Sequence, residues 1–343
     1  MTDATSGPTV SVIMPVYNGE EYIAQAIRSI LDQTLADLEL IIISEFGTSP
    51  ASIAAIGQFD DPRLVHVQNG EKLGLIASLN LGLRIAKGRY IARMDSDDVS
   101  LPERLTKQVA YMDAHPEVGV LGTMVAYIDA QGKITSRPRY FSKPETVAWD
   151  MLFNSPIPHP SAMLRPETVR LLGGYDPNAK LVEDYDLWLR AAHATVVMNL
   201  PEELVQIRKH GENITVTRRE EQQRASARLA TAEAERLLGR KVDEEGVYRL
   251  RQPNVLANGA EALTAADLLN EIYGRFIDSR RISPEALREI RKDLVRMYSV
   301  LVAQGLRNRW KVTFTLLGKA KEGAALSRSS ILIQALARRA IFR

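Results

Sequence analysis

The sequence predicts an α/β fold, a mostly parallel mixed sheet covered by helices, with an α-helical C-terminal region. Two observations predict the sheet. Short apolar, β-branched runs alternate with helical patterns through the first half of the chain, as in parallel sheets covered on both faces. Polar groups follow the apolar runs at Tyr17-Asn18, at Glu45 and at Asp95 to Asp98, which places them together at the carboxyl rim where such sheets bind ligands. A third observation, the dominance of Ala, Leu, Glu and Arg beyond about Thr217, predicts the helical region. At 343 residues the chain exceeds the usual single domain, so residues 1–216 are expected to form the body and 217–343 an appended region.

The elements follow in order. Val10 to Met14 is a buried strand, and Glu20 to Gln33 is the helix after it. Leu38 to Ile43 is the second strand, with a helix near Ser52 to Phe59, and Arg63 to Val67 is the third strand. Gly74 to Ala86 is a helix, and Arg89 to Met94 is the strand that leads into Asp95-Ser96-Asp97-Asp98. Val118 to Ile134 forms a hairpin turning at Asp129-Ala130-Gln131-Gly132. A Pro-rich loop over 154–160 precedes a strand at Ser161 to Leu164, and helices follow near Pro166 to Leu172 and Asp184 to Ala194. Ser283-Pro284-Glu285-Ala286 opens a later helix with a capping serine and Pro at the first position.

Composition narrows the function. With no cysteine there are no disulfides, thiolate metal sites or cysteine nucleophile. The start lacks a secretion-signal layout, and no apolar run approaches the ~20 residues of a membrane-spanning helix. A cytoplasmic location is the expectation. Residues 1–216 carry 19 Lys/Arg against 27 Asp/Glu, whereas residues 217–343 carry 25 against 15. An acidic body does not suit nucleic acid, whose binding rests on neutralising phosphates.

Three carboxylates within four positions, Asp95, Asp97 and Asp98, form the most informative motif. Like charges this close repel, and a shared hard cation such as Mg²⁺ or Mn²⁺ removes the repulsion and clamps a diphosphate. A solvated acidic turn capping the helix near Leu101-Pro102 is equally compatible with the motif taken alone. Lys72 and Arg93 are candidates for countering diphosphate charge, or are surface and packing cations. No Gly-x-Gly-x-x-Gly follows the first strand, and no P-loop or Gly-x-Ser-x-Gly elbow is present. A glycosidase pair fits poorly, because clustered carboxylates call for a cation.

Several ordered motifs then resemble family 2 glycosyltransferases of the GT-A fold, over roughly residues 8 to 216. They are Ser11 through Gly19; Gly74 with Asn80-Leu81-Gly82-Leu83 and Ala86 to Ile91 leading into Asp95 to Asp98; His159-Pro160-Ser161; Gly173-Gly174-Tyr175-Asp176; Glu183 to Trp188; and Arg208-Lys209-His210 with Asn213-Ile214-Thr215. The resemblance implies the Rossmann-like nucleotide-diphospho-sugar transferase fold and an inverting enzyme using a nucleotide-sugar donor and Mn²⁺ or Mg²⁺. It assigns Asp97 as metal ligand, with Asp95 and Ser96 beside the donor, and His210 near the diphosphate and metal. Asp184 matches the family's catalytic base, preceded by Glu183; helix capping is its alternative role. Pro15, Val16 and Tyr17 would lie along the nucleobase, and Glu45 would accept a hydrogen bond from it. Here the chain departs from the family: Asp-Asp-Gly-Ser-Thr-Asp is replaced by Ser44-Glu45-Phe46-Gly47-Thr48-Ser49-Pro50. UDP is the default nucleotide, with dTDP and GDP open.

The expected acceptor is a hydroxyl of a glycan or a lipid-linked acceptor, in polysaccharide or glycoconjugate biosynthesis. From Gly305 to Arg343 there are nine Lys/Arg and one Glu, interleaved with Trp310, Phe314 and aliphatic residues. This composition suits attachment to an anionic membrane surface, at the inner face of the cell membrane, or packing with a solvated basic face on its own domain or on a second subunit in a homo-oligomer. The competing class is a catalytically silent GT-A scaffold that binds a nucleotide sugar or a partner, an alternative prompted by the altered Ser44–Pro50 segment.

Overall fold

The computed structural model describes residues 7–210 and 218–308, together with 315, 316 and 319. The chain forms two compact units, one of residues up to 147 with 155–219, the other of 148–154 with the residues from 220 onward.

In the first unit, strands and helices alternate as β1 (Val10–Val16), α1 (Ile23–Leu31), β2 (Leu38–Ser44), α2 (Pro50–Ile56), β3 (Leu64–Gln68), α3 (Leu75–Ile85) and β4 (Tyr90–Arg93). The sheet order begins β3-β2-β1-β4, all parallel. Both faces are covered, so these strands are apolar without alternation: Val12, Met14, Leu40, Ile42 and Ala92 are all buried in one core with Ile23, Ala26, Ile27 and Ile30 of α1. On the other side α3 packs directly on β1 and β2 at Gly82, where an added Cβ would stand 2.5 Å from Ile13 Cγ2. Ser49 caps α2 by accepting from Ser52 N at 3.1 Å, and Pro50 takes the first helical position. The unusual Ser44–Pro50 segment therefore ends in an ordinary helix start.

Beyond the acidic motif come β5 (Val99–Ser100), α4 (Arg104–Ala114), β6 (Val118–Ile128), β7 (Ile134–Ser136), α5 (Pro144–Asp150), a 3-10 turn over His159–Ser161, β8 (Met163–Leu164), α6 (Pro166–Leu172), α7 (Glu183–Ala192) and β9 (Val196–Arg208). The sheet continues β4-β8-β6-β9-β5 with β7 on β6. The hairpin turn at Asp129 to Gly132 is present, closed by Gly132 N to Asp129 O at 3.0 Å. The strand expected at 161–164 is shorter, because Ser161 closes the 3-10 turn with its hydroxyl on Pro158 O. The long strand β9 has no counterpart in the sequence-based expectations: Pro201 and Glu202-Glu203 interrupt its apolar alternation, and pairing with β6 along its length forms it nonetheless.

The second unit is helical: α8 (Arg219–Leu238), α9 (Glu244–Arg251), α10 (Gly259–Asp278) and α11 (Pro284–Arg307). Ser283 caps α11 by accepting from Ala286 N at 3.3 Å, as expected from the sequence. Residues 148–154 belong to this unit because Trp149 is fully buried there. Its ring meets Phe276 edge-on at 5.4 Å, and its Nε1 donates to Asp293 Oδ2 at 3.0 Å. No described helix is long and apolar enough to cross a membrane. Most of the basic segment from Gly305 onward lies outside the described residues, as do Asn213 to Thr215.

Candidate functional site

The site is assembled at the carboxyl rim of the parallel strands. Ile13 of β1 lies opposite Arg93 of β4, and Met94 N donates to Ile13 O at 3.1 Å. The chain after β4 therefore runs beside the loop after β1. Gly19 takes the left-handed region at φ 92°, and a Cβ there would stand 3.9 Å from Ser96 Oγ, in ordinary contact. Asp95, Asp97 and Asp98 each offer an oxygen, and these atoms lie within 4.8 Å of one another.

The third arm comes from far along the chain. β5 pairs antiparallel with β9, Val99 opposite Gln206, so the residues before β5 meet those at the end of β9. Arg208 N donates to Asp98 Oδ1 at 2.8 Å, and Arg208 Nε donates to Asp97 O at 2.9 Å. The same guanidinium holds Asp129 O, Ala130 O and Gln25 Oε1, and lies over the Tyr22 ring at 4.4 Å. Two residues further, His210 Nε2 lies 2.9 Å from Asp97 Oδ2, which brings together the two sequence-predicted metal candidates. Arg208 belongs to the Arg208-Lys209-His210 motif, and its position beside His210 is the one sign of it in the sequence.

Electrostatics sets the character of this cluster. Burial and the neighbouring Asp95 carboxylate push Asp97 up. Burial pushes Asp98 well above the usual range, with Asp95 and Asp97 adding to it. Asp98 Oδ2 is buried with no hydrogen-bond partner. An unmatched buried acceptor among repelling carboxylates, with an imidazole beside them, is a donor set that suits a hard divalent cation.

Arg93 joins this cluster to a second acidic pair. Its guanidinium is 4% exposed and forms an ion pair with Asp95. Its field also favours the ionised forms of Asp184 and Glu183 at the start of α7. Arg93 thus pairs with Asp95 through Nη2, while its Nε and Nη1 are buried without a hydrogen-bond partner. Asp184 is half-buried; Oδ2 accepts from Ser155 Oγ at 3.1 Å and Oδ1 from Tyr185 N at 2.7 Å. Burial raises its pKa. Glu183 is raised to about 7, first by burial and then by Asp184. Nearby, His159 Nε2 and Tyr175 OH lie 2.8 Å apart, and burial holds His159 well below its ordinary range. Ser155 was not singled out from the sequence, where it is one residue of a Pro-rich loop.

The remaining predicted residues divide. Tyr17 is exposed and Pro15 half-buried at the end of β1, and the Val16 side chain is buried in the core. Lys72 is exposed in the loop before α3. Glu45 is buried, and backbone N–H groups of the protein hold its carboxylate. Oε1 accepts from Phe46 N at 2.8 Å and Leu73 N at 3.0 Å, Oε2 accepts from Gly74 N, and the Asn69 side chain adds a further bond.

The description Glycosyl transferase family 2 matches residues 11–169. EpsE of Bacillus subtilis, a putative glycosyltransferase, is 40% identical over 190 residues, 54% of this chain and 67% of that protein. The amylovoran biosynthesis glycosyltransferase AmsE of Erwinia amylovora is 34% identical, covering 58% and 75%. The chain spans about two thirds of the length of the curated relatives it matches. Among solved structures, Staphylococcus aureus TarS 1–349 with UDP-GlcNAc superposes at TM-score 0.54 and 16% identity, over 97% of this chain and 92% of that one. The mannosyltransferase PcManGT of Pyrobaculum calidifontis with GDP-Man and Mn²⁺ gives 0.52 and 15%, over 99% and 89%. These likenesses establish the fold as GT-A.

Proposed function

The chain belongs to glycosyl transferase family 2, and we propose that it moves a sugar, with inversion, from a nucleoside diphosphate donor to a hydroxyl of a glycan or lipid-linked acceptor. A UDP-sugar is the favoured donor, and synthesis of a polysaccharide or glycoconjugate is the favoured setting. The name of the amylovoran biosynthesis glycosyltransferase AmsE supports the setting, and the TarS complex with UDP-GlcNAc supports the nucleotide.

One observation carries the reading: two acidic groups of different character share one rim, with Arg93 within electrostatic reach of both. Asp97 and His210, with Asp95 beside them, would hold Mn²⁺ or Mg²⁺, which supplies charge neutralisation for a diphosphate leaving group. Arg208 fixes the backbone of that turn. Asp184 is the base: it takes the proton of the acceptor hydroxyl as the oxygen bonds to the anomeric carbon and the bond to the diphosphate breaks. Ser155 holds Asp184 Oδ2 and so limits the directions its carboxylate can take.

Calorimetric binding of UDP with Mn²⁺ and turnover of UDP-sugars test the reading. Asp97→Asn is expected to remove most metal-dependent UDP binding. Asp184→Asn is expected to bind UDP within about twofold of the parent while turnover falls by roughly 10² to 10⁴. Equal loss of binding in both variants contradicts the assignment.

A further inference from the structure

We propose that Lys209, Tyr127 and Tyr140 form a subsite for an acidic group, carboxylate or phosphate, on the acceptor glycan. This rests on the transfer reading above and narrows the class of acceptor that the same site takes.

Strand register sets the place of these residues. β4 and β6 are joined through β8 and run the same way, with Ala92 opposite Met163 and Met163 opposite Leu121. β4 ends one residue after Ala92, whereas β6 continues to Ile128, paired with β9. The two strands therefore stand past the rim as a wall beside the carboxylates. Side chains alternate across a strand. Arg208 turns toward α1, where it meets Gln25 and lies over Tyr22, so Ile207 and Lys209 turn the other way. That other side of the sheet is the one Arg93 takes, because its strand neighbour Ile13 faces α3 at Gly82. Arg208 and His210 reach Asp98 and Asp97 from the α1 side. Lys209 points away from that contact, which leaves it for an anion other than the donor's diphosphate.

Direct contacts hold the group together. The Lys209 ammonium lies over the Tyr127 ring, 4.4 Å from its centre, and Tyr127 OH is 3.5 Å from Tyr140 OH. Lys209 N donates to Ile128 O at 2.8 Å, which fixes the backbone beneath. Lys209 is exposed and forms no ion pair with a described residue. The flank is basic as well. Residues 127–143 carry four Lys/Arg and one Asp, in a body where acidic residues outnumber basic ones by 27 to 19. Arg137 is taken up by Glu203 at 2.7 Å and Arg139 lies over the Phe141 ring, so neither is assigned to the subsite.

The chemistry of the ligand follows. An ammonium has three donors and each phenol one, and a ring face satisfies the cation only in part. An anion beside Lys209 supplies the countercharge and accepts charge-assisted hydrogen bonds, which are the strong ones. β6 stands two strands from β4, roughly 10 Å, so the acidic group belongs to the reacting sugar or to the one next to it.

Calorimetric titration of the full chain, preloaded with UDP and Mg²⁺, tests this with tetragalacturonate, glucose 1-phosphate and neutral maltotetraose. The two acidic probes separate a carboxylate-bearing sugar from a phosphate-bearing one, and the proteins are the parent, Lys209→Ala, Lys209→Arg and Tyr127→Phe. At least one acidic probe is expected to bind the parent about tenfold more tightly than maltotetraose. That binding falls about tenfold in Lys209→Ala and about threefold in Tyr127→Phe, and stays within about threefold of the parent in Lys209→Arg. UDP affinity stays at the parent's value in all three variants, which shows that the fold is intact. Acidic-probe affinity unchanged in Lys209→Ala overturns the inference. So does a parent that binds UDP but prefers neither acidic probe to maltotetraose, and so does an equal loss of UDP and probe affinity in Lys209→Ala. Failure of the parent to bind UDP sinks the donor reading and this inference with it.

Discussion

Replacing Arg93 by methionine is the sharpest perturbation the site offers. Arg93 is a buried cation paired with Asp95 and acting through space on Asp98, Glu183 and Asp184. Removing one partner of a buried pair costs about 3–5 kcal/mol, and the partial exposure of Asp95 lowers that to roughly 2–3 kcal/mol through solvent screening. For a unit of this size such a loss corresponds to a fall in Tm of about 5–10 °C without metal. The same change leaves the acidic cluster more negative, so Mn²⁺ binds Arg93→Met more tightly than the parent. Because a ligand that binds only the native state stabilises it by mass action, the Mn²⁺-induced rise in Tm is expected to be larger in the variant. Differential scanning fluorimetry across a Mn²⁺ titration, with Mg²⁺ and a monovalent salt as controls, measures both effects. A variant as stable as the parent, or one whose response to Mn²⁺ is unchanged, would refute the placement of Arg93 between the two acidic groups.

Two further expectations concern stability. Glu183 has its folded pKa raised from 4.5 to about 7 by burial, so its ionisation opposes folding. Stability from keeping it neutral is full below pH 4.5 and is lost as pH rises through 7, by up to about 3 kcal/mol. Urea unfolding of Glu183→Gln from pH 5 to 8 should therefore show a smaller decline than the parent; parallel curves would contradict the burial of Glu183. In the second unit, Trp149→Phe keeps the aromatic packing on Phe276 but leaves buried Asp293 Oδ2 without its donor, for an expected loss of about 1–3 kcal/mol in urea unfolding. An unchanged midpoint would show that this hydrogen bond carries no weight.

The site was partly legible because its signals are local. Asp95, Asp97 and Asp98 declare themselves by spacing, and Asp184 through the resemblance of the Glu183 to Trp188 motif. Glu45 shows the limit of such reasoning. An acidic residue after a strand looks the same in sequence whether its oxygens face a ligand or the N–H groups of residues 46, 73 and 74. Val16 shows it again, since the last residue of a strand alternates into the core or out of it according to the sheet's register.

The sequence by itself determined the alternation of strands and helices, the helical second region, the capped start at Ser283-Pro284 and the identity of the acidic cluster. Each of these depends on periodicity or on neighbours a few residues apart. Tertiary structure alone decided that β9 pairs with β6, that Arg208 reaches back to Asp98, and that Ala148 to Asn154 join the helices beyond Glu220. Burial and the saturation of hydrogen-bonding groups are set by which distant segments come to share a surface, and a linear pattern carries no record of that pairing.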